Sequence, residues 1–124
     1  DHFKAYNDSK GHIAGDYCLE CIGKTLRKFG ETNEIFFARY GGEEFVAIVR
    51  FSSNKKLETI AQGIVDAIYA LDLPHEKSDF KRITISVGYA SRSDVEAEDY
   101  IQLLACADKA LYQAKQQGRN KIAG

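Results

Sequence analysis

Methionine and tryptophan are absent from this 124-residue sequence, proline occurs once, and no apolar run approaches the ~20 residues a membrane-spanning helix needs. The lack of methionine means that Asp1 is not a translational start, so a longer parent protein is expected. With no signal-peptide pattern and no spanning segment, the expectation is a cytoplasmic location and no membrane contact by this segment. A parent protein attached to a membrane through an upstream domain remains compatible with that reading. Charge of one sign is also missing: 17 basic and 18 acidic residues leave a net charge of −1, which argues against a nucleic-acid surface. An anionic ligand would have to be held by a few placed cations. Cysteine is scarce and odd in number. Cys18, Cys21 and Cys106 cannot all pair, and His2, His12 and His75 add no suitable spacing for a zinc site, so reduced thiols are expected.

What the chain does have is enough apolar material, 44% of residues, for one packed core. Residues 4 to 15 are polar, with Gly11 and Gly15, and read as a loop or short helical turn. Leu19, Ile22, Leu26 and Phe29 recur at helical spacing, predicting a helix from about Ala14 to Phe29 closed by Gly30. Ile35 to Tyr40 and Phe45 to Val49 read as two strands, with Gly41-Gly42 as the two-residue loop of a hairpin. Ser52-Ser53-Asn54 reads as loop and cap for a helix burying Leu57, Ile60, Ala61, Ile64, Val65, Ile68 and Leu71. Ile83 to Ala90 alternates as a strand, where Gly88 marks a bulge or a close backbone approach. The last helix is expected from about Glu98 to Gln117, burying Ile101, Leu104, Ala107, Leu111 and Ala114 and ending with Gly118 just beyond its C-terminus. Helix, strand, strand, helix, strand, helix is the ferredoxin-like order without its first strand and with a closing helix added. The fold class is therefore α+β, an antiparallel sheet with helices packed on it, and an opening strand is expected before Asp1.

Three clusters offer chemistry. Glu43 and Glu44 follow the glycine pair, where a hard cation such as Mg²⁺ finds carboxylates and takes its other ligands from phosphates and water. A charged tip that keeps the hairpin soluble explains them equally well. Lys115 and Arg119 bracket a helix end, where they can clamp phosphates or simply complement the helix dipole. Asn7-Asp8, Gly11-His12 and Gly15-Asp16 can read a base or cap a helix, and for Asp8 and His12 alone capping is the better account.

Taken together and in order, these stretches change the odds. Asp1-His2-Phe3-Lys4 with Asn7-Asp8, Gly11-His12 with Gly15-Asp16, and Arg39-Tyr40-Gly41-Gly42-Glu43-Glu44-Phe45 form the first half of the match. Ser86-Val87-Gly88, Ala107-Asp108 with Ala110-Leu111-Tyr112, and Ala114-Lys115 with Gly118-Arg119-Asn120 form the second. The whole series resembles the GGDEF family of diguanylate cyclases, which share the palm fold of nucleotide cyclases and polymerases.

That resemblance implies a catalytic domain over residues 1 to 124, lacking its N-terminal strand and helix, that condenses two GTP into cyclic di-GMP with release of two pyrophosphates. It implies Mg²⁺ or Mn²⁺ as cofactor. Glu43 matches the family's metal-binding and catalytic glutamate, and Glu44 matches an acid that supports the metal site. Lys115 and Arg119 match the triphosphate-binding pair, and the backbone N–H groups of His2, Phe3 and Lys4 match the phosphate loop. Asn7 and Asp16 match the guanine-reading residues, and a carboxylate suits the two donors on guanine's Watson–Crick edge. Gly42 matches a position kept small for close passage of substrate. Because one domain holds one GTP, the family works as a homodimer, here expected to form through upstream regions.

Two departures go with the match. The family's metal-binding aspartate and an adjacent carbonyl ligand fall before Asp1, so the 124 residues alone are expected to bind metal poorly and not turn over. The family's product-inhibition motif, Arg-x-x-Asp, falls on Thr32-Asn33-Glu34-Ile35, so no feedback inhibition is expected there. Rival readings are an inactive GTP- or cyclic di-GMP-binding regulatory module and a purely structural dimerisation domain.

Overall fold

The computed structural model describes residues 1–50, 53–94 and 100–124. These fall into two compact units, one made of His2–Arg50 and Leu71–Ile83, the other of Asp1 and the remaining described residues.

In the first of these units the chain opens with α1 (Phe3–Lys10), then α2 (His12–Asn33), and then the hairpin β1 (Phe36–Gly41) and β2 (Glu44–Ile48). The polar opening segment, expected as a loop or short helical turn, is helical: it forms the two full turns of α1 and, after Gly11, the first turn of α2. Tyr6 is the only buried residue of α1, which is why hydrophobic periodicity leaves it silent. The next helix, α2, buries Gly15, Cys18, Ile22, Leu26 and Gly30 along one stripe and continues past Gly30, where the sequence placed its end. Gly30 serves packing instead. A Cβ there would lie 2.5 Å from the Ile35 carbonyl oxygen and 2.9 Å from the Phe37 ring, so the missing side chain lets the start of the hairpin lie against the helix. Glu34, at φ 56, turns the chain out of α2, and Ile35 N–H donates to Gly30 O at 2.9 Å. Burial pushes the Cys18 thiol up to about 11, which suits an inert packed thiol. All three cysteines are free.

The other unit contains α3 (Asn54–Ala70), β3 (Val87–Gly88), a short 3₁₀ turn at Arg92–Asp94, α4 (Tyr100–Gln116) and β4 (Ile122–Ala123). Ser53 caps α3 as expected, its hydroxyl accepting from Lys56 N–H at 3.2 Å; Ser52 lies outside the described residues. Ile60, Ala61, Ile64, Val65 and Ile68 are buried, a stripe worth about 1.5–3 kcal/mol for each large side chain.

Two expectations for this unit need correction. The strand at Ile83 to Ala90 shortens to Val87–Gly88, and its partner is β4, in parallel, a strand the sequence reading did not include. Among the described residues the earlier part of this stretch has no ladder; Ile83 N–H goes to Leu73 O at 2.7 Å, and Thr84 O accepts from the Asp1 nitrogen at 2.9 Å. The described strands accordingly form two two-stranded sheets, β1-β2 and β3-β4.

The buried face of α4 is also different. Ile101 is 64% exposed and Leu104 37%, while Ala110 and Ala114 are buried; Glu98 and Asp99 lie outside the described residues. The reason is Gly88. A Cβ on it would collide with the backbone nitrogen of Leu111 and the carbonyl oxygen of Ala107, so α4 sits with its backbone on the strand. Only small side chains fit such an approach, and the alanine stripe wins over the larger apolar residues. This is the close approach that Gly88 marks in the sequence.

Candidate active site

The hairpin tip is displaced by one residue from the expected turn. Arg39 pairs with Phe45, but Gly41 pairs with Glu44, so Tyr40 is an extra residue on β1 and the two-residue loop is Gly42-Glu43. Gly42 alone takes positive φ, 53°, and its carbonyl oxygen accepts from Arg39 Nε at 2.7 Å, which ties the turn to the strand. Glu43 therefore projects from the turn itself, and Glu44 is the first residue of β2. Both are exposed, and among the described residues neither carboxylate pairs with a cation. Two uncommitted carboxylates fit a Mg²⁺ ion that draws its remaining ligands from phosphates and water. They do not make an all-protein cage, since no group of three or more ligating side chains occurs among the described residues.

In the same unit His2 adopts the left-handed conformation, φ 55, and starts α1 with no side-chain cap. The first N–H groups of that helix, those of Phe3 and Lys4, have no intrahelical acceptor and suit an anion. The carbonyl of His2 is held on its other side by two donors, Tyr6 N–H at 3.0 Å and His75 Nε2–H at 3.1 Å. His75 is 1% exposed and sits edge-on to the Tyr6 ring. Burial holds its imidazole below the usual 6.5, against the hydrogen bond to His2, which favours the proton. His75, which has no suitable spacing for a zinc site, instead supports the start of α1 through a bond to a residue 73 positions away, which no local pattern signals.

Asn7 packs on Gly15, the residue before Asp16. A Cβ at Gly15 would lie 2.8 Å from Asn7 Cγ and closer still to its Oδ1. That oxygen is buried and has no hydrogen-bond partner among the described residues. Leaving such an acceptor empty is costly, so it is poised for a donor that the described residues do not supply. Asp16 is exposed on the first turns of α2.

Lys115 and Arg119 belong to the other unit. The last turn of α4 closes with Gly118 N–H on Lys115 O at 3.3 Å and Arg119 N–H on Ala114 O at 3.0 Å, the paired bonds of a glycine-terminated helix. Gly118 has φ 113, as its expected place just past the helix requires. Both cations are half-buried, and among the described residues no carboxylate pairs with either. Residues His2, Phe3, Lys4, Asn7, Asp16, Gly42, Glu43 and Glu44 thus lie in one unit and Lys115 and Arg119 in the other.

The chain matches the family described as "Diguanylate cyclase, GGDEF domain" over residues 1–121, and it belongs to that family. Diguanylate cyclase A of Treponema denticola is 34% identical over 122 residues, covering 98% of this chain and 32% of the relative. Diguanylate cyclase DgcP of Pseudomonas aeruginosa is 38% identical, again over 98% of this chain but 18% of its own length. The chain therefore spans about a third or less of these relatives. Among solved structures, the GGDEF domain of DgcB from Caulobacter crescentus in complex with c-di-GMP superposes with a TM-score of 0.86 at 32% identity, covering 99% of this chain and 71% of that one. The active GGEEF domain of a diguanylate cyclase from Vibrio cholerae, which carries the same five-letter signature as Gly41 to Phe45, gives a TM-score of 0.76 at 26% identity, covering 99% and 76%. Among the described residues no helix is long and apolar enough to cross a membrane.

Proposed function

We propose that residues 1 to 124 belong to one catalytic domain, a diguanylate cyclase that condenses two GTP into cyclic di-GMP and releases two pyrophosphates. The observation that carries this reading is the state of its functional groups: Glu43 and Glu44, the buried Oδ1 of Asn7, and the Lys115 and Arg119 cations all lack partners within the described residues. Of these groups Asn7 Oδ1 is the buried one, and a buried acceptor without a donor is the kind that a purely structural domain has least reason to keep.

In this reading Lys115 and Arg119 bind the triphosphate, and the backbone N–H groups of His2, Phe3 and Lys4 serve as a phosphate loop. Asn7 and Asp16 select guanine, with Asn7 Oδ1 accepting from the base and the Asp16 carboxylate accepting from its N1–H and N2–H₂ edge. Gly42 keeps the turn free of a side chain where the nucleotide passes. Glu43 would hold a divalent ion, Mg²⁺ or Mn²⁺, with Glu44 supporting it. Bound there, it would supply charge stabilisation on the phosphates and a lower pKa for the attacking 3′-hydroxyl. Each hydroxyl attacks the α-phosphate of the GTP on a second domain, so the active species is a homodimer assembled through upstream regions. Orientation by that dimer can supply on the order of 7–11 kcal/mol of the barrier.

The test is to incubate the full-length protein and its Glu43→Ala variant with GTP and Mg²⁺ and look for cyclic di-GMP by mass spectrometry. Product from the parent and none from the variant is expected. Product from both removes Glu43 from the chemistry, and GTP binding without product from a dimeric parent points to the regulatory module.

A further inference from the structure

Asp1 has a role that the catalytic reading leaves unassigned. Its carboxylate accepts from Ser86 Oγ–H at 2.7 Å through Oδ1, and from Thr84 Oγ1–H at 2.8 Å and Asn120 N–H at 3.1 Å through Oδ2. Its own nitrogen donates to Thr84 O at 2.9 Å. Thr84 and Ser86 are both buried, so each hydroxyl needs an acceptor, and Asp1 serves both.

The third donor is the informative one. After Gly118 the chain passes through two more left-handed residues, Arg119 at φ 65 and Asn120 at φ 49, neither of them glycine. Such a run is unfavourable for L-residues and persists only where its surroundings over-determine it. Each N–H along it is anchored: Gly118 to Lys115 O and Arg119 to Ala114 O within the helix end, and Asn120 to Asp1. Beyond the turn, Lys121 O accepts from Val87 N–H at 3.0 Å and begins the parallel pairing of β4 with β3. The Asp1 carboxylate is thus the side-chain clasp that fixes the far end of the turn on which Arg119 sits.

We propose that Asp1 is a positioning residue for triphosphate binding: by bonding Asn120 N–H, Thr84 and Ser86 together it locks the Gly118–Asn120 turn and so presets the backbone from which Arg119 engages phosphate. The inference rests on the proposed role of Lys115 and Arg119. It assigns Asp1 to hydrogen bonding within the fold, where its two oxygens accept three hydrogen bonds. An asparagine can reproduce the arrangement, its Oδ1 taking the place that accepts from Thr84 and Asn120 and its Nδ2 donating to Ser86 Oγ.

The test measures affinities of the full-length protein for GTP, inorganic tripolyphosphate and guanosine by calorimetry, in the parent, Asp1→Asn and Asp1→Ala. Asp1→Ala is expected to weaken GTP and tripolyphosphate by about tenfold or more, the usual scale for stranding a buried donor, and to leave guanosine unchanged. Its Asn120 amide should also exchange with solvent much faster than in the parent. Asp1→Asn is expected to stay within about threefold of the parent for all three ligands. A loss in Asp1→Asn as large as in Asp1→Ala overturns the proposal and points to a charge-dependent role such as metal ligation. Equal weakening of guanosine, or unchanged tripolyphosphate affinity in Asp1→Ala, also overturns it. The Asp1→Asn arm decides even if Asp1→Ala does not fold. Failure of the parent itself to bind GTP would instead sink the cyclase reading.

Discussion

Replacing Gly88 with alanine puts the packing of α4 on β3 to its most direct test. The added Cβ would overlap Leu111 N and Ala107 O and lie 2.7 Å from Leu111 Cα, whereas ordinary contact begins near 3.4 Å. All three are backbone atoms, so no side-chain rotation relieves the clash and the whole helix has to move. Overpacking of this kind costs about 1–3 kcal/mol, and the rigid backbone places Gly88→Ala toward the upper end. Gly23 provides the control. It lies inside α2 with nothing within 4 Å of its would-be Cβ, so Gly23→Ala should stabilise by up to about 1 kcal/mol through helix propensity alone. In urea, with m of about 2 kcal/mol per molar, a loss of about 3 kcal/mol lowers the Gly88→Ala midpoint by roughly 1.5 M, while the Gly23→Ala midpoint rises. An unchanged midpoint for Gly88→Ala would mean that α4 does not sit on β3 with its backbone, and would remove the reason given for the exposure of Ile101 and Leu104.

Three other outcomes are expected. Gly15→Ala should displace the Asn7 carboxamide, a movable side chain, and weaken guanosine binding by about tenfold without unfolding the chain; in an Asn7→Ala background the same substitution should have little further effect, which a double-mutant cycle reads directly. His75 has a lowered pKa in the fold, so the unfolded chain takes up its proton first as pH drops. Stability should be full above about 6.5, fall as pH goes down from there through the folded pKa, and lose that dependence in His75→Gln, as followed by denaturant midpoints. Cyclic di-GMP added to the full-length protein should not inhibit through residues 32 to 35, and non-competitive inhibition abolished by substitutions there would show the alignment of that stretch to be wrong.

The parts of the fold that the sequence made legible are those set by local rules. Ser53 announces α3, Gly118 announces the end of α4, and the isoleucine and valine spacing of α3 fixes its buried face. What it left unread depends on partners far along the chain. Gly30 looks like a helix stop until the Phe37 ring is seen against it. The α4 face cannot be chosen between alanines and larger residues without knowing that Gly88 lies beneath. The acidic hairpin was legible as a motif, but the bulge at Tyr40 that moves its turn onto Gly42-Glu43 was not. Thr84 and Ser86 carried one unused signal: two hydroxyls alternating with Ile83, Ile85 and Val87 in an apolar stretch require an acceptor once buried, and that acceptor is Asp1, 83 and 85 residues away. His75 gave no local sign of its bond to His2, 73 residues earlier.

The central claim is that two copies of this domain join two GTP molecules using Glu43 and the Lys115–Arg119 pair. It is tested most directly by following cyclic di-GMP and pyrophosphate together while the full-length protein is diluted through its dimerisation range with GTP and Mg²⁺ in excess. The account predicts two pyrophosphates per cyclic di-GMP, a specific activity that falls on dilution, and no product from Glu43→Ala or Arg119→Ala. Product formation that is independent of dilution and survives both substitutions would contradict it.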